Sequence, residues 1–236
     1  MIWAWVTAAV VLDGAVALVG GLLPDRWLMR HRPTMLGFAA GALLAAAVLD
    51  LVPDALDARG VVVVPWLAAS IVALAALDYV FGVHGHHHEQ ARNPVAYGLL
   101  ASDAVHNFGD GIAIAAAFLS STHLGVITSI AVLVHELPEE LADYAVLRVA
   151  RVGKRRSLVA LALVQLTAGV GAAVTLLGAT LGHGHGHSIV LAIAGGTFIY
   201  IALVELMPDI LREGSRRDRL VALASFAAGA VLIALV

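Results

Sequence analysis

Two short motifs place imidazole and carboxylate side chains in the middle of long apolar runs. The first, HNFGDG, occupies residues 106–111, and the second, HELPEE, occupies residues 135–140. An ionisable side chain at the depth of a lipid bilayer costs at least ~2.5–3.5 kcal/mol on insertion scales. A cluster of such groups therefore requires a compensating partner, and its chemistry points to a metal cation.

Helical spacing sorts these side chains into two sets. His106 and Asp110 are i,i+4 neighbours on one predicted helix, and His135 and Glu139 are the same on the next. Both histidines fall near the middle of their helices, so two helices packed side by side offer adjoining ligand sets. The first set is His106, Asp110, His135 and Glu139. The second set is Asn107, Asp110, Glu136 and Glu139, with Glu140 within reach.

Imidazole and carboxylate ligands suit Zn²⁺, Fe²⁺, Mn²⁺ or Co²⁺ and suit Cu(I) poorly. The chain has no cysteine, which excludes disulfides, thiolate nucleophiles and cysteine-ligated metals. Pro138 lacks a helical N–H and is expected to kink its helix, which frees the Val134 carbonyl beside the site.

The elements that carry these motifs are predicted to be membrane-spanning helices. The 236 residues are 61% hydrophobic and 13% charged, and several apolar runs exceed the ~18 residues of a membrane span. The sequence predicts a single-domain all-α polytopic membrane protein, spanning residues 1–236, with eight helices. Their predicted ranges are Trp3–Leu23, Thr34–Leu56, Val61–Phe81, Pro94–Leu119, His123–Val149, Ser157–Leu181, Ser188–Leu211 and Leu220 to the C-terminus.

The basic residues indicate an orientation. All but Arg59 of the 14 lysines and arginines fall in the basic loops 1–2, 3–4, 5–6 and 7–8. By the positive-inside rule these loops are cytoplasmic and both termini are extracytoplasmic. The basic run 148–156 lies between two spans, so it is interpreted as a topology signal that touches anionic lipid and not as a nucleic-acid patch.

A sequence repeat relates helices 2 and 7. Residues 49–56, LDLVPDAL, match residues 204–211, VELMPDIL, and the match extends upstream to Gly41 and Gly196. The two helices are an odd number of spans apart, so the motif crosses the membrane in opposite directions. An inverted repeat of helices 1–3 and 6–8 around helices 4 and 5 is typical of transporters. It predicts a metal path that begins at Asp50 and Asp54 and ends at Glu205 and Asp209.

HNFGDG and HELPEE resemble the paired motifs of the ZIP family of divalent metal-ion transporters, in particular its LIV-1-like branch. The eight spans, the outward termini and the proline-acid helix ends also resemble that family. The resemblance implies import of zinc, or of iron, manganese or cadmium, into the cytoplasm by alternating access through a binuclear site. It also implies a homodimer, a path lined by helices 2, 4, 5 and 7, and no cofactor beyond the transported metal. The family's ligand positions match His106, Asn107, Asp110, His135, Glu136 and Glu139, and Asp103 and Asp143 match recurrent acidic positions.

The chain departs from the LIV-1-like pattern at Glu139, where that branch has histidine. Other branches resemble this chain in carrying glutamate there, and the harder oxygen donor weakens strict zinc selectivity. A further family ligand from helix 6 falls near Gln165.

Two other functions compete with import. HELPE begins like the HExxH helix of an intramembrane zinc protease, but Glu139 replaces the second histidine and Pro138 distorts the helix, so no enzyme is predicted. A cation-efflux transporter is the closer alternative, because such proteins also carry histidine-rich cytoplasmic loops. The direction of net flux distinguishes the two.

Two histidine loops flank the helices. The cytoplasmic loop 83–93 holds His84, His86, His87 and His88, and the extracytoplasmic loop 182–187 holds His183, His185 and His187. Their flexible glycine-histidine pattern predicts weak metal capture or no role beyond a solvated loop. The absence of a large extracellular domain favours a bacterial inner membrane.

Overall fold

The described part of the chain is helical almost throughout. The structure, a computed structural model, describes residues 1–20, 25–81, 93–183, 186–212 and 215–236. Within these ranges there are α-helices and no β-strands, as the all-α prediction requires. The α-helices are α1 (Ile2–Gly20), α2 (Asp25–Ala45), α3 (Val52–Arg59), α4 (Val64–Phe81), α5 (Asn93–Ser120), α6 (Thr122–Val149), α7 (Lys154–Gly178), α8 (His187–Tyr200), α9 (Met207–Arg212) and α10 (Arg216–Leu235).

The two central helices, α5 and α6, are joined by a single residue. Ser121 separates them, and its hydroxyl oxygen accepts a hydrogen bond from the Leu124 N–H at 3.0 Å, which caps the start of α6. α5 packs along α6. The motifs in the middle of each helix therefore face one another at similar depth.

The expected basic loop between the first two helices is wrong. α2 begins at Asp25, so Arg26, Arg30 and Arg32 lie on a helical turn and not in a loop. The His31 ring stacks on the Trp27 ring with centroids 4.4 Å apart. His31 Nδ1 also lies 2.8 Å from the Trp27 carbonyl. These i,i+4 contacts support the helix before Pro33.

π-helical turns interrupt both copies of the repeated motif. Residues Ala46–Leu51 join α2 to α3, and residues Ile201–Leu206 join α8 to α9. In the first copy the Val52 N–H donates to the Ala47 carbonyl, and in the second the Met207 N–H donates to the Ala202 carbonyl. A proline stands two residues after each turn, at positions 53 and 208. Because a proline ring clashes with the carbonyl four residues earlier, a wider turn at this point relieves the clash.

Four helical stretches among the described residues are long and apolar enough to cross a membrane. They are Arg30–Leu77, Lys154–Leu181, His187–Arg212 and Arg216–Leu235. The first is 48 residues long and includes most of predicted helices 2 and 3. α5 and α6 have 28 residues each, which at ~1.5 Å per residue exceeds the ~30 Å bilayer core, but they carry the polar motifs. The count of eight spans stays a prediction.

Glycines allow pairs of helices to approach closely. A β-carbon built on Gly111 of α5 would collide with the backbone of Ala168 on α7, and one on Gly171 of α7 would collide with that of Phe108 on α5. Such approach is typical of helix packing in membranes. It holds α7 beside the polar face of α5, while α1 packs against α5, α6 and α7 together. α1 and α7 therefore pack beside the two helices that carry the motifs.

Candidate metal centre

Two histidines form the centre of the polar cluster. His106 Nε2 on α5 lies 3.0 Å from His135 Nε2 on α6, with the two rings nearly perpendicular at 88°. His135 Nδ1 lies 3.1 Å from the Ala131 carbonyl oxygen. Because a carbonyl only accepts, this contact places a proton on Nδ1 and leaves the Nε2 lone pair of neutral His135 available to a metal.

Asp110 lies between the histidines. Its Oδ2 is 3.5 Å from His106 Nε2 and 3.2 Å from His135 Nε2. Asp110 is 1% exposed. The carboxylate therefore adds negative charge at the point where both imidazole nitrogens meet.

Two glutamates of α6 complete this group. Glu136 Oε1 lies 3.6 Å from His106 Nε2 and 3.8 Å from His135 Nε2, while Glu139 Oε2 lies 3.4 Å from His106 Nε2. One ligand atom each from His106, His135, Glu136 and Glu139 falls within a mutual distance of 4.8 Å. Two imidazoles and two carboxylates at this spacing match the donor types of a divalent transition-metal site.

Gln165 of α7 links Glu136 to the next carboxylate. Its amide Nε2 donates to Glu136 Oε2 at 2.8 Å and to Glu140 Oε1 at 2.6 Å. The other oxygen of Glu136, Oε1, faces the histidines. Glu136 therefore lies between a histidine-rich half of the cluster and an oxygen-rich half.

Asn107 is fully buried beside Asp103. Its Nδ2 donates to Asp103 Oδ1 at 2.8 Å and to the Asp103 carbonyl at 3.2 Å, while its amide oxygen has no hydrogen-bond partner in the described structure. Asp103 and Asp143 are themselves buried and close to each other. The Nδ2 donor of Asn107 is thus engaged by Asp103, which leaves the Asn107 amide oxygen available to a cation.

Several buried oxygens of the cluster have no hydrogen-bond partner in the part of the chain that is described. They are Asn107 Oδ1, Asp110 Oδ2, Glu136 Oε1, Glu140 Oε2 and Gln165 Oε1. Buried polar atoms are normally hydrogen-bonded, and a carboxylate buried without a partner is costly. Lone pairs left free in this way fit a site whose partner is a cation.

The structure groups the predicted ligands differently from the two sets that helical spacing gives. Helical spacing assigned Glu136 to the second set, but its Oε1 faces the histidines with Glu139. Spacing gives the face of each helix, whereas the rotation of one helix against the other decides which faces meet. The structure brings Gln165 into the cluster, next to Glu140.

The predicted ends of the metal path lie at different places on α6. The Ser120 hydroxyl donates to Asp54 Oδ2, and Asp50 is within electrostatic reach of His123, so both aspartates lie near the connection between α5 and α6. Glu205 is within electrostatic reach of Glu139, nearer the other end of α6. Asp209 belongs to α9, but its side chain is outside the described set.

The histidine loops fall largely outside the described residues. His84, His86, His87, His88 and His185 are not among them. The ends of the second loop are helical, because a π-helical turn covers Ala179–His183 and α8 begins at His187.

One acidic residue near the cluster belongs to neither motif. Asp13 of α1 is 1% exposed and is within electrostatic reach of Asp110, His135 and Glu140. The signal was present, since Asp13 is the only charged residue of the apolar helix Ile2–Gly20. It lacked a partner at helical spacing, which the motifs of α5 and α6 have.

Comparisons with known proteins agree with this donor chemistry. A family model described as ZIP zinc transporter matches residues 81–236. Zinc transporter zipt-7.2 of Caenorhabditis elegans is 38% identical over 130 residues, which cover 54% of this chain and 28% of that protein. Zinc transporter SLC39A7 of Homo sapiens is 35% identical over 143 residues, 58% of this chain and 30% of that protein. Zinc transporter ZIP4 of Mus musculus is 42% identical over 122 residues, 51% of this chain and 18% of that protein. The chain thus matches less than a third of the length of these curated relatives.

Proposed function

Because the chain belongs to the ZIP zinc transporter family, whose members are transporters and not enzymes, we propose that it imports divalent transition-metal cations across a membrane into the cytoplasm. The observation that carries the proposal is the cluster of His106, His135, Glu136 and Glu139, with ligand atoms within 4.8 Å of one another. The cluster lies between two 28-residue helices of an integral membrane protein. Zinc is the first candidate substrate, since the relatives named above are zinc transporters, and iron, manganese and cadmium follow from the carboxylate donors.

We propose that the site is binuclear, with Glu136 shared between two metal positions. Its Oε1 faces the histidine pair, and its Oε2 is held by Gln165 beside Glu140. The histidine-rich position suits Zn²⁺, and the oxygen-rich position, with Asn107 and Asp110 in reach, suits harder cations. Two positions of different donor character support stepwise transfer of an ion between them.

The eight-span inverted repeat is part of the proposal. Both copies of the repeated motif have a π-helical turn before a proline, with equivalent N–H to carbonyl bonds. The equivalent glycines also make equivalent contacts, because Gly41 meets the backbone of Phe226 on α10 and Gly196 meets that of Leu67 on α4. In the numbering of the eight predicted spans, the repeat exchanges helices 1–3 with helices 6–8 and helix 4 with helix 5. Under this exchange the packed pair α2–α10 corresponds to α8–α4, and the packed pair α1–α6 corresponds to α7–α5. All four pairs occur. These correspondences support the repeat.

We place the metal path along α5 and α6. Asp50 and Asp54 would receive the ion near the connection between these helices, and Glu205 and Asp209 would release it at the opposite end. The hydrogen bond between Ser120 and Asp54 and the electrostatic proximity of Glu205 to Glu139 support this order. Alternating access then moves the barrier from one side of the cluster to the other.

The orientation, the loops and the assembly remain predictions that accompany the proposal. We propose that both termini lie outside the cytoplasm, as the basic residues predict by the positive-inside rule. The histidine loops 83–93 and 182–187 are proposed to capture metal weakly on the exit and entrance sides. A homodimer and a location in a bacterial inner membrane are likewise predictions.

Influx into proteoliposomes tests the function. We expect saturable, inward accumulation of Zn²⁺ with the wild-type chain and none with Asp110→Ala, across a panel of Zn²⁺, Fe²⁺, Mn²⁺, Co²⁺ and Cd²⁺. Asp57→Asn is the matched control, because Asp57 is an exposed aspartate of α3 away from the cluster. Net transport of metal out of preloaded vesicles while the metal concentration is higher outside would favour the efflux alternative. Metal binding without any flux would contradict transport.

A further inference from the structure

Asp13 is a buried carboxylate that no motif of the chain explains. It lies within the apolar run VVLDGAVA of α1 and is 1% exposed. Neither Oδ1 nor Oδ2 has a hydrogen-bond partner in the described structure. A carboxylate buried in this way is expected to have either a proton or a cation as its partner.

The position of α1 directs Asp13 toward the metal centre. α1 packs against α5, α6 and α7, the three helices that supply the cluster. The main electrostatic neighbours of Asp13 are Asp110, His135 and Glu140, each of which belongs to the cluster. Two of these neighbours are carboxylates, so Asp13 adds to a concentration of negative charge.

A second observation places a free oxygen on the same side. A β-carbon built on Gly14 would lie 3.7 Å from Gln165 Cβ and 3.9 Å from Gln165 Oε1. The backbone of α1 therefore reaches the Gln165 amide, whose Nε2 is occupied by Glu136 and Glu140. Its Oε1 has no partner among the described residues and neither does Glu140 Oε2.

From this juxtaposition we infer that Asp13 is a ligand of a divalent cation in the oxygen-rich half of the centre, beside Glu140 and Gln165. The inference rests on the proposed function for the identity of the cation as cargo, but it assigns a ligand to α1 that neither motif contains. Oxygen donors from a carboxylate and an amide suit Mn²⁺ and other hard cations as well as Zn²⁺. The cation neutralises the charge that Asp13 shares with its acidic neighbours.

A spectroscopic test uses the absence of native cysteine. The chain contains none, so Asp13→Cys introduces a single thiol. Cd²⁺ added to the purified full chain in detergent is expected to produce thiolate-to-metal charge-transfer absorption in Asp13→Cys. Thr7→Cys, on an exposed position of the same helix, is the matched control and is expected to show none. Absence of the band in folded, Cd²⁺-binding Asp13→Cys would overturn the assignment.

A binding measurement tests the same assignment without a thiol. Calorimetric titration with Zn²⁺ and Mn²⁺ is expected to show at least a tenfold loss of affinity, or one ion fewer per chain, in Asp13→Asn. Asp57→Asn should match the wild type. If Asp13→Cys does not fold, this titration decides, and affinity and stoichiometry within twofold of the wild type would show that Asp13 is only a buried acid.

The two proposals fail in different ways. Charge-transfer absorption with no metal influx into proteoliposomes would leave Asp13 a ligand and contradict transport. Influx by the wild-type chain with no absorption in Asp13→Cys would keep transport and remove the ligand from α1.

Discussion

The Nε2 atoms of His106 and His135 lie 3.0 Å apart, and His135 Nδ1 faces the Ala131 carbonyl. If His135 is neutral with its proton on Nδ1, its Nε2 accepts a hydrogen bond from His106 Nε2. A metal ion bound between the rings would replace that proton. The pair is therefore a point at which protons and metal compete for the same lone pairs.

Metal affinity is expected to fall as pH is lowered, because protons occupy the imidazoles and carboxylates that must be free to bind metal. Zn²⁺ affinity measured at several pH values should change by about tenfold per pH unit for each proton displaced. His135→Gln should weaken binding. At pH values where the wild-type imidazole titrates, it should also lower the number of protons displaced per metal ion by about one. An unchanged slope would mean that His135 does not exchange its proton for metal.

Gln165→Leu is expected to weaken metal binding roughly 10–100-fold, the usual effect of removing a group that orients ligands. The substitution removes the amide that holds Glu136 Oε2 and Glu140 Oε1 in place. Thr167→Val is the control, since Thr167 lies on the same helix and its hydroxyl donates to the Ala104 and Val164 carbonyls and not to Glu136 or Glu140. Equal affinities of the two variants in calorimetric titration would remove Gln165 from the centre.

Gly111→Ala is expected to lower the free energy of unfolding by about 1–3 kcal/mol or more, the range for overpacking. The added methyl group meets the Ala168 backbone, which does not yield as a flexible side chain would. Gly109→Ala provides the control two residues earlier, because a β-carbon there has no neighbour within 4 Å. Thermal unfolding in detergent should separate the two variants, and equal stability would contradict the close approach of α5 and α7.

Asp50→Asn is expected to raise the apparent KM for external metal severalfold with little change in the maximal rate. The carboxylate lies near His123, on the side of the cluster where we place the entrance. Initial rates of influx over a range of Zn²⁺ concentrations measure both quantities, with Asp57→Asn as the control. An unchanged KM would move the entrance elsewhere.

Single cysteines are expected to report the orientation of α6. Thr122→Cys lies at its start and Gly153→Cys lies just beyond its end, and both positions are exposed. A membrane-impermeant maleimide should label Thr122→Cys in intact cells and Gly153→Cys only after lysis, since positive charge marks the second side as cytoplasmic. The reverse pattern would invert the topology.

Much of the centre follows from local spacing, and the rest depends on how helices rotate against each other. The 3.6-residue period alone pairs His106 with Asp110 on α5 and His135 with Glu139 on α6. The pairing of Glu136 with the histidines is set by the rotation of α6, which spacing does not report.

Two other differences have the same kind of origin. Asp13 has no partner within its own helix, so only the packing of α1 against α5, α6 and α7 shows its neighbours. The helical start of α2 at Asp25 is supported by stacking between the Trp27 and His31 rings. In the sequence these two residues lie among arginines, and nothing in that basic run indicates that their rings stack.

The π-helical turns are the two points at which a change in chain length is absorbed. Each residue turns an α-helix by about 100°. A π-turn, with its i→i+5 hydrogen bonds, spreads one extra residue over nearly the same rotation. Deleting one residue between 46 and 51 would therefore close the wide turn into α-geometry and keep Asp54 on the side of Ser120. A deletion in the α-helical part of α2 would instead rotate everything that follows by about 100°. Residues 201–206 are the matching point in the second copy.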